Sequence, residues 1–391
     1  MTNKRTAIHV KPREGRRARA GAPWLFSNEI DMTAKTLAPG AVVNVVGDDG
    51  RVFGTGTFNA KSLIAVRLLD PAADIVLDAE FFAKKLKRAL ALRETLYAAP
   101  YYRLVNAEGD GLPGLTIDRF ADTCVVQITT AGMEALLEPL LAALDETLQP
   151  ENVVLRADAP ARSLEGLELY VRAAKGNAGR IAVEENGVRY FADLEAGQKT
   201  GWYYDQRDNR AFLASLTRGK SVLDAYCYTG GFALAAAHAG AKDVAGLDSS
   251  TPALGLAQEA AAANNLTCKF VKADVFEELE RLWAARESFD VVVADPPPFV
   301  KSKKDLEPGA KAYRKLARLA ASVTAPGGFL LVASCSHNIP LERFLSECAA
   351  GILRAGRSAR LIRQSGAAGD HPTHPMLPES AYLKALVYTL D

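Results

Sequence analysis

The sequence contains few cysteines, and none of them lies in a metal-binding pattern. Five cysteines are spread over 391 residues, and no two of them form a Cys-x-x-Cys pair. An odd number at such wide spacing argues against a disulfide framework or a zinc site, so we predict no bound metal and a reducing, cytoplasmic setting. Three of the cysteines fit the role of small buried apolar residues: Cys124, Cys268 and Cys348.

The sequence also has no long apolar run and no excess of charge of one sign. Its longest uncharged stretch, residues 319–341, is interrupted by Pro326, Gly327 and Gly328, so we predict no membrane span. No apolar segment typical of a signal peptide follows the first five residues. Lysine and arginine (47) nearly balance aspartate and glutamate (46), and 49% of the residues are hydrophobic. This composition is typical of a globular protein with two or three domains.

One basic cluster lies within this balanced composition. Residues 1–20 hold seven lysines and arginines against a single acid, Glu14. Clustered cations attract RNA by releasing its counterions, although a run of this kind is equally typical of a solvated surface. We predict that Arg16 and Arg17 contact RNA.

Apolar patterning divides the chain into three regions. Residues 1–72 hold short β-branched runs and predict a small β-rich domain, and residues 73–195 predict a central α+β domain with helices at 80–96 and 133–148. In residues 196–391, helical patterns separate seven strand patterns: 221–226, 243–247, 268–272, 290–294, 329–333, 359–363 and 383–390. Such alternation predicts a Rossmann-like α/β domain, a mainly parallel sheet that binds ligands at the carboxyl ends of its strands.

Acidic residues follow the first strands of that predicted sheet. Four aspartates accompany the first four predicted strands. Asp224 lies within the first strand, and Asp248, Asp274 and Asp295 follow the ends of the next three. At this spacing Asp248 can accept both hydroxyls of a ribose, and Asp274 can accept from an adenine amino group. Any one of these acids alone is equally a helix N-cap. Together they predict an S-adenosylmethionine site.

Two glycine-containing segments accompany these acids. Gly230 and Gly231 let the backbone approach a ligand where a helix begins, but the full Gly-x-Gly-x-x-Gly pattern of dinucleotide sites is absent. Residues 197–210 combine glycines, aromatics and charges, and suit a cover over the cofactor or an ordinary linker. Besides the four aspartates, we predict these cofactor contacts: Lys199, Thr200, Asp205, Arg207, Tyr228, Thr229 and Gly230.

A thiol and a carboxylate follow two later strand patterns. Cys335 comes after the apolar run 329–333, and Asp295 opens the stiff loop 295–299 after the run 291–294. Loops that leave the carboxyl ends of neighbouring strands can converge on one cleft. We therefore predict that Cys335 and Asp295 lie at one site.

The chain resembles the bacterial large-subunit ribosomal RNA cytosine-C5 methyltransferases that carry an N-terminal PUA domain. The resemblance covers nearly the whole length and rests on these segments: 21–28, 53–56, 108–115, 198–201, 228–232, 295–297, 334–336, 370–372 and 379–384. It implies an RNA-binding PUA domain, a central domain and a class I methyltransferase domain that uses S-adenosylmethionine. It also implies 23S ribosomal RNA as the partner and 5-methylcytidine as the product.

The implied chemistry requires a nucleophile that also leaves well. A thiolate that adds to C6 of cytosine makes C5 nucleophilic, and cysteine suits both addition and release. We predict Cys335 as this nucleophile and Asp295 as the group that holds the N3/N4 edge of the base. Phe299 is placed to stack on a base taken out of its helix, and Lys301 and Lys303 to hold the RNA backbone. The plain alternative for Cys335 is a small buried apolar residue.

One position departs from the resemblance. Many RNA cytosine-C5 methyltransferases have a second cysteine after the proline of the Asp loop, where this chain has Pro298 after Pro297. An RNA amino-methyltransferase acting on guanine N2 has a similar loop and needs no thiol, so it stays an alternative. A catalytically inactive RNA-binding protein and a methyltransferase for proteins or small molecules are two further alternatives. A homodimer is compatible with the sequence.

Overall fold

The computed structural model describes residues 5–32, 36–177, 179–194, 197 and 200–391. The chain divides into two compact units. Unit 1 comprises Met1–Gly179, Leu194–Trp202 and Gly369–Ser380, and unit 2 comprises Arg180–Asp193, Tyr203–Ala368 and Ala381–Asp391. The division into three domains made above stays a prediction.

Unit 1 begins with a five-stranded sheet. Its elements are β1 (Ala7–His9), α1 (Arg16–Arg19), β2 (Trp24–Leu25), β3 (Ala41–Val46), β4 (Val52–Phe58) and β5 (Val66–Asp70). The strand order is β1-β3-β4-β5-β2, with only β1 and β3 parallel among the described strands. Inward-facing apolar side chains such as Ile8, Val43 and Phe58 form its core. The predicted β-rich character of this region is confirmed.

The rest of unit 1 is a second five-stranded sheet with helices. Its elements are α2 (Ala79–Leu96), β6 (Tyr101–Asn106), β7 (Leu115–Phe120), β8 (Thr123–Ile128), α3 (Ala131–Ala135), α4 (Leu137–Leu148), β9 (Asn152–Ala157), α5 (Ala161–Glu165) and β10 (Tyr170–Lys175). The strand order is β10-β9-β8-β7-β6. Asp78 caps α2 by accepting from the Phe81 amide at 3.0 Å. The single helix predicted at 133–148 was wrong, because the backbone leaves helical geometry at Leu136.

Unit 2 contains a hairpin followed by alternating strands and helices. The hairpin is β11 (Arg180–Glu185) and β12 (Val188–Asp193), and α6 (Arg207–Ala214) follows. The next elements are β13 (Ser221–Ala225), α7 (Gly231–His238), β14 (Asp243–Asp248), α8 (Thr251–Ala263), β15 (Lys269–Lys272), α9 (Val275–Ala284), β16 (Phe289–Ala294), α10 (Leu306–Ser322), β17 (Thr324–Ser334), α11 (Leu341–Arg354), β18 (Ala359–Ser365) and β19 (Lys384–Leu390).

The seven strands from β13 to β19 form one sheet. Their order is β15-β14-β13-β16-β17-β19-β18, and β19 runs antiparallel to both of its neighbours while the other described pairs are parallel. The order reverses between β13 and β16, and at such a point the loops diverge and leave a crevice for a ligand. Every strand predicted for this sheet is present, although β17 begins at Thr324 rather than at 329. The predicted Rossmann-like fold is confirmed.

Both faces of this sheet are covered. Residues of α9, α10 and α11 pack on one face with Val292, Leu330 and Leu386 in the core. Residues of α6 and α7 pack on the other, around Val291 and Leu331. Near-continuous apolar strands are typical of a parallel sheet buried on both sides. No helix in the part of the chain that the structure describes is long and apolar enough to cross a membrane.

Candidate active site

The loop between β13 and α7 has a strained backbone. Tyr226, Tyr228 and Gly230 all have positive φ angles, of 68°, 50° and 82°. Left-handed geometry is unfavourable for a residue with a side chain, by about 1–2 kcal/mol, so two tyrosines in it indicate a loop that the surrounding structure enforces. The Tyr228 amide donates to Asp248 Oδ2 at 2.9 Å and fastens the loop to the end of β14.

Asp224 lies beneath this loop and is 1% exposed. Its Oδ2 accepts from the Ala233 amide in the first turn of α7 at 2.8 Å. Its Oδ1 has no hydrogen-bond partner among the described residues, and neither has the buried hydroxyl of Thr229. Burial raises the pKa of Asp224 to about 7, and negative charge on Asp295 and Asp248 contributes. Buried oxygens that lack partners inside the protein indicate room for a polar ligand.

The next two aspartates both accept hydrogen bonds from backbone amides. Asp248 accepts from Tyr228, and its Oδ1 accepts from the Ser250 amide at 2.8 Å. Asp274 is exposed and caps α9, with Oδ1 accepting from Phe276 and Glu277 at 2.9 and 3.1 Å. A carboxylate oxygen has two lone pairs, so these contacts leave capacity for ribose or adenine donors. Their predicted contacts with the cofactor stay predictions.

The loops after β16 and β17 meet at the hydroxyl of Tyr313 on α10. Ser334 Oγ donates to this hydroxyl at 2.7 Å, and the Phe299 amide donates to it at 3.4 Å. Ser336 Oγ lies 2.9 Å from the same hydroxyl and accepts from the Val300 amide at 3.3 Å. Because all three side chains are buried, this hydroxyl cluster joins the loop that carries Asp295 to the loop that carries Cys335.

Asp295 ends a chain of polar side chains within unit 2. Gln206 Nε2 donates to Asp295 Oδ2 at 2.9 Å, and Asn209 Nδ2 donates to Gln206 Oε1 at 2.7 Å. Ser365 Oγ donates to Asn209 Oδ1 at 2.7 Å. Each amide is thereby fixed in one orientation, so the carboxylate receives a donor from Gln206 and keeps its position.

Cys335 follows Ser334 and is half-buried. Lys384, at the start of β19, lies opposite Ser334, and its Nζ donates to the Ser336 carbonyl at 2.7 Å. Burial lowers the pKa of Lys384, and negative charge on Cys335 opposes this shift. Burial raises the pKa of the Tyr203 hydroxyl, and nearby acidic groups raise it further: Tyr228, Asp205, Cys335 and Asp295. The predicted pair, Cys335 and Asp295, therefore shares one group of neighbours.

The cofactor contacts predicted within residues 197–210 have different surroundings in the structure. Asp205 Oδ2 accepts from the Tyr382 hydroxyl at 2.6 Å. Arg207 is buried, lies 3.4 Å from Glu185 of β11 and has its guanidinium 5.3 Å from the ring centroid of Tyr204. Thr200 is buried and belongs to unit 1, and Lys199 lies outside the described residues.

The predicted RNA contacts also differ in exposure. Phe299 packs inward, with its ring centroid 4.8 Å from that of Tyr313 and 6.0 Å from that of Phe276, so much of its surface is already covered. Lys301 and Lys303 are exposed. In unit 1, Arg16 is exposed, whereas Arg17 pairs with Glu379 at 3.0 Å and has part of its charge neutralised.

Three of the remaining cysteines are more deeply buried than Cys335, and the fourth is not. Cys124, Cys227 and Cys348 are buried. This confirms the expectation for Cys124 and Cys348, but Cys268 is only half-buried, so its expected full burial was wrong. Burial raises the pKa of Cys268 to about 11. The described residues contain no cluster of three metal-binding side chains.

Three residues of this site were missed in the sequence: Gln206, Tyr313 and Lys384. Gln206 lies in the segment 197–210, among other polar residues, and Tyr313 lies in a helical pattern, so nothing distinguishes either from its neighbours. Lys384 lies in the segment 379–384 that contributes to the resemblance, but its contact depends on β19 pairing with β17. A lysine at the start of an apolar strand is the signal that could have indicated it.

Comparisons with known proteins identify the family of this chain. Residues 8–71 match the PUA-like domain family, and residues 176–389 match the S-adenosylmethionine-dependent methyltransferase family. A Shewanella amazonensis protein named ribosomal RNA large subunit methyltransferase I is 39% identical and covers 97% of this chain and 98% of its own length. An Aeromonas salmonicida protein of the same name is 38% identical over 93% and 94%. The chain belongs to this methyltransferase family.

Membership in the methyltransferase family makes S-adenosylmethionine the cofactor and confirms the resemblance predicted from the sequence. Solved structures agree on the fold. The methyltransferase SMU.776, solved with SAH, superimposes with a TM-score of 0.85 at 21% identity and covers 98% of this chain and all of its own. In the present chain, the buried Asp224 Oδ1 and Thr229 Oγ1 have no hydrogen-bond partner among the described residues, and they fit a polar cofactor at the loop between β13 and α7.

Proposed function

We propose that the protein methylates carbon 5 of a cytidine in large-subunit ribosomal RNA, with Cys335 as the nucleophile. The observation that carries this proposal is the hydroxyl cluster of Tyr313, Ser334 and Ser336, which ties the Cys335 loop to the Asp295 loop. The name of the relatives supports ribosomal RNA as the substrate. The PUA-like match and the exposed cations Arg16, Lys301 and Lys303 support RNA binding.

Cys335 takes the first step of the proposed reaction, the addition to the base. Its thiolate forms a bond to C6 of the base, and the electron pair of C5=C6 shifts to form C4=C5, while the C4=N3 pair moves onto N3, which takes a proton. When bound, S-adenosylmethionine would supply the methyl group. The C4=C5 electron pair would form the bond between C5 and the methyl carbon as the bond from that carbon to the sulfonium breaks, with S-adenosylhomocysteine as the leaving group, and the electron pair on N3 would re-form N3=C4. Loss of the C5 proton then re-forms C5=C6, the bond between C6 and the sulfur breaks to release the thiolate, and N3 gives up the proton that it took.

Asp295 suits recognition of the base. Gln206 donates to one of its oxygens, which leaves carboxylate capacity for the N4 amino group and a proton at N3. A negative carboxylate at that edge favours the protonated ring that accepts the thiolate. Phe299 and the prolines around it give this loop a rigid shape, since the Phe299 ring packs on Tyr313.

Contacts with the cofactor are proposed for the β13 loop and the strand-end acids. Asp224 and Thr229 offer buried oxygens, and the strained Tyr228–Gly230 backbone lies where α7 begins. Asp248 suits the ribose hydroxyls and Asp274 the adenine amino group, because both lie at ends of parallel strands next to that loop.

An RNA amino-methyltransferase is the second candidate, and Pro298 favours it. Cytosine-C5 enzymes that use two thiols have a cysteine there, whereas an enzyme that methylates guanine N2 needs only the Asp loop. The two candidates differ in their need for Cys335, since direct attack by an exocyclic amine forms no bond to sulfur.

Nucleoside analysis tests the proposal. The protein is incubated with methyl-labelled S-adenosylmethionine and ribosomal RNA from cells that lack it, and the labelled nucleoside is identified. We expect 5-methylcytidine from the unmodified protein and from Cys268→Ala, the matched control at the other half-buried cysteine. We expect Cys335→Ala to lose activity by a factor of at least about 1,000, because the nucleophile is removed.

Trapping of the covalent adduct gives a second measurement. RNA that contains 5-fluorocytidine has no removable proton at C5, so the protein should stay bonded to it through Cys335 and migrate as a larger species in a denaturing gel. Labelled N2-methylguanosine, or full activity in Cys335→Ala, would support the amino-methyltransferase instead.

A further inference from the structure

Lys384 is a buried cation next to the Cys335 loop. It is 9% exposed and begins β19 directly opposite Ser334, the last residue of β17. Its Nζ donates to the carbonyls of Ser336 at 2.7 Å and Tyr382 at 3.0 Å. The pairing with Ser334 and the hydrogen bond to Ser336 place the ammonium beside the two residues that precede and follow Cys335 in the chain.

A buried ammonium needs negative charge close by. Desolvation of an unpaired charge costs several kcal/mol, and hydrogen bonds to two carbonyls offset only part of that cost. Among the residues that the structure describes, no carboxylate lies within ion-pair distance of Lys384 Nζ. An ammonium has three N–H donors, and the two carbonyls use two of them. Cys335 is the acidic group whose charge acts on Lys384.

Two tyrosines and an acid share the surroundings of Cys335 with Lys384. Tyr203, before α6, and Tyr313, on α10, interact electrostatically with the sulfur, and burial raises the pKa of both hydroxyls, so both are neutral near pH 7. Asp295 brings negative charge to the same end of the sheet. The ring of His337 packs on Tyr382 with centroids 5.2 Å apart. Positive charge close to the sulfur favours the thiolate form of a cysteine over the thiol.

We propose that Lys384 is the counter-ion of the Cys335 thiolate and holds the sulfur ready to add to the base. This inference rests on the covalent function proposed above. Lys384 is a positioning residue, because it acts through the sulfur of Cys335. Its ammonium favours the thiolate twice, before the bond to C6 forms and again when that bond breaks, and it keeps its own proton throughout.

The pH profile of cysteine alkylation tests this pair in the full-length protein without RNA or cofactor. Iodoacetamide labelling of Cys335 is followed by peptide mass spectrometry, with Cys268 as an internal reference. We expect the midpoint for Cys335 to lie below the ordinary thiol value of about 8.5. In Lys384→Met the midpoint should rise by about one to two pH units, because the positive charge is lost. Lys384→Arg keeps the charge and should restore most of the shift.

Two controls separate charge from structure. Lys315→Met removes an exposed lysine of α10, which pairs with Glu280 of α9 at 3.0 Å. This substitution should leave the midpoint of Cys335 alkylation unchanged. Coupling between two sites is reciprocal, so Cys335→Ser should lower the midpoint for labelling of Lys384 by acetic anhydride. This second measurement decides the matter if Lys384→Met does not fold. An unchanged midpoint in Lys384→Met, or in Lys384 after Cys335→Ser, overturns the inference.

The outcomes also distinguish this inference from the proposed function. Alkylation reports the thiolate itself, whereas nucleoside analysis reports methyl transfer. Loss of 5-methylcytidine in Cys335→Ala with an unchanged midpoint in Lys384→Met leaves the covalent function standing and removes the role of Lys384. A shifted midpoint together with an active Cys335→Ala leaves the ion pair standing and removes its use in catalysis.

Discussion

The hydroxyl of Tyr313 connects the two loops of the proposed site, and its removal tests that connection directly. Tyr313→Phe keeps the ring, which packs 4.8 Å from Phe299 and edge-to-face 5.1 Å from Phe344. The substitution therefore opens no cavity in the core and removes one oxygen only. Any loss of stability comes from the hydrogen bonds that this oxygen makes.

The size of the effect follows from a count of those bonds. The hydroxyl accepts from Ser334 and from the Phe299 amide, so its single hydrogen is given to Ser336. A typical hydrogen bond contributes about 1 kcal/mol net, and a buried group left without its partner costs about 1–3 kcal/mol. The Phe299 bond is long at 3.4 Å and adds little. We expect Tyr313→Phe to lower the free energy of unfolding by about 2–3 kcal/mol.

Tyr388 on β19 provides a matched control in the same unit. Its hydroxyl is buried but has no hydrogen-bond partner among the described residues. Tyr388→Phe therefore removes a desolvated hydroxyl that forms no bond, and it should change the free energy of unfolding by less than about 0.5 kcal/mol or stabilise the protein. Hydrogen exchange of β16 and β17, read by mass spectrometry over increasing urea, measures this unit separately from unit 1. Equal losses in the two variants would refute the reasoning.

Two further predictions concern charge at the site. Because burial raises the pKa of Asp224 from 3.8 to about 7, the folded chain holds a proton that the unfolded chain releases, so stability should fall as pH rises across this interval. Asp224→Asn should abolish that fall, which is on the order of 4 kcal/mol, in urea titrations at several pH values; an unaltered slope contradicts the assignment. Gln206→Glu places a second carboxylate against Asp295 and should slow methyl transfer at least about tenfold at pH 8, with recovery at lower pH where the pair shares a proton. Gln206→Leu, which removes the donor without adding charge, should show no such recovery.

The fold could be predicted because its signal is local. Runs such as residues 291–294 are apolar on both faces, and only strands covered by helices on both sides of a sheet need that composition. Strand ends in a parallel sheet all lie at one edge, so aspartates that follow strands come together without any knowledge of distant contacts. The predicted helix at 133–148 failed where the chain bends at Leu136, since periodicity alone does not register one non-helical residue.

The supporting residues of the site could not be predicted, because their contacts depend on the assembled structure. Tyr313 meets Ser334 across 21 residues, and Gln206 meets Asp295 across 89. Each lies in a helix or turn whose pattern is complete without them. The hairpin β11–β12 is a similar case. It belongs to unit 2, where Glu185 accepts from Arg210 at 2.6 and 2.8 Å inside the protein, a contact across 25 residues.

Pro298 and Lys384 both bear on the release of the product from the covalent adduct. An enzyme with two cysteines can use the second thiol to help release the product, and this chain has no cysteine at that position. The single thiol must then be present as the thiolate and must also be a good leaving group, and positive charge close to the sulfur favours both. A buried ammonium on β19, fixed by the Ser336 and Tyr382 carbonyls, supplies such stabilisation at both stages. On this reasoning Lys384→Met should slow release of the covalent adduct as well as its formation, so the bonded species should persist longer on ordinary cytidine RNA than with the unmodified protein.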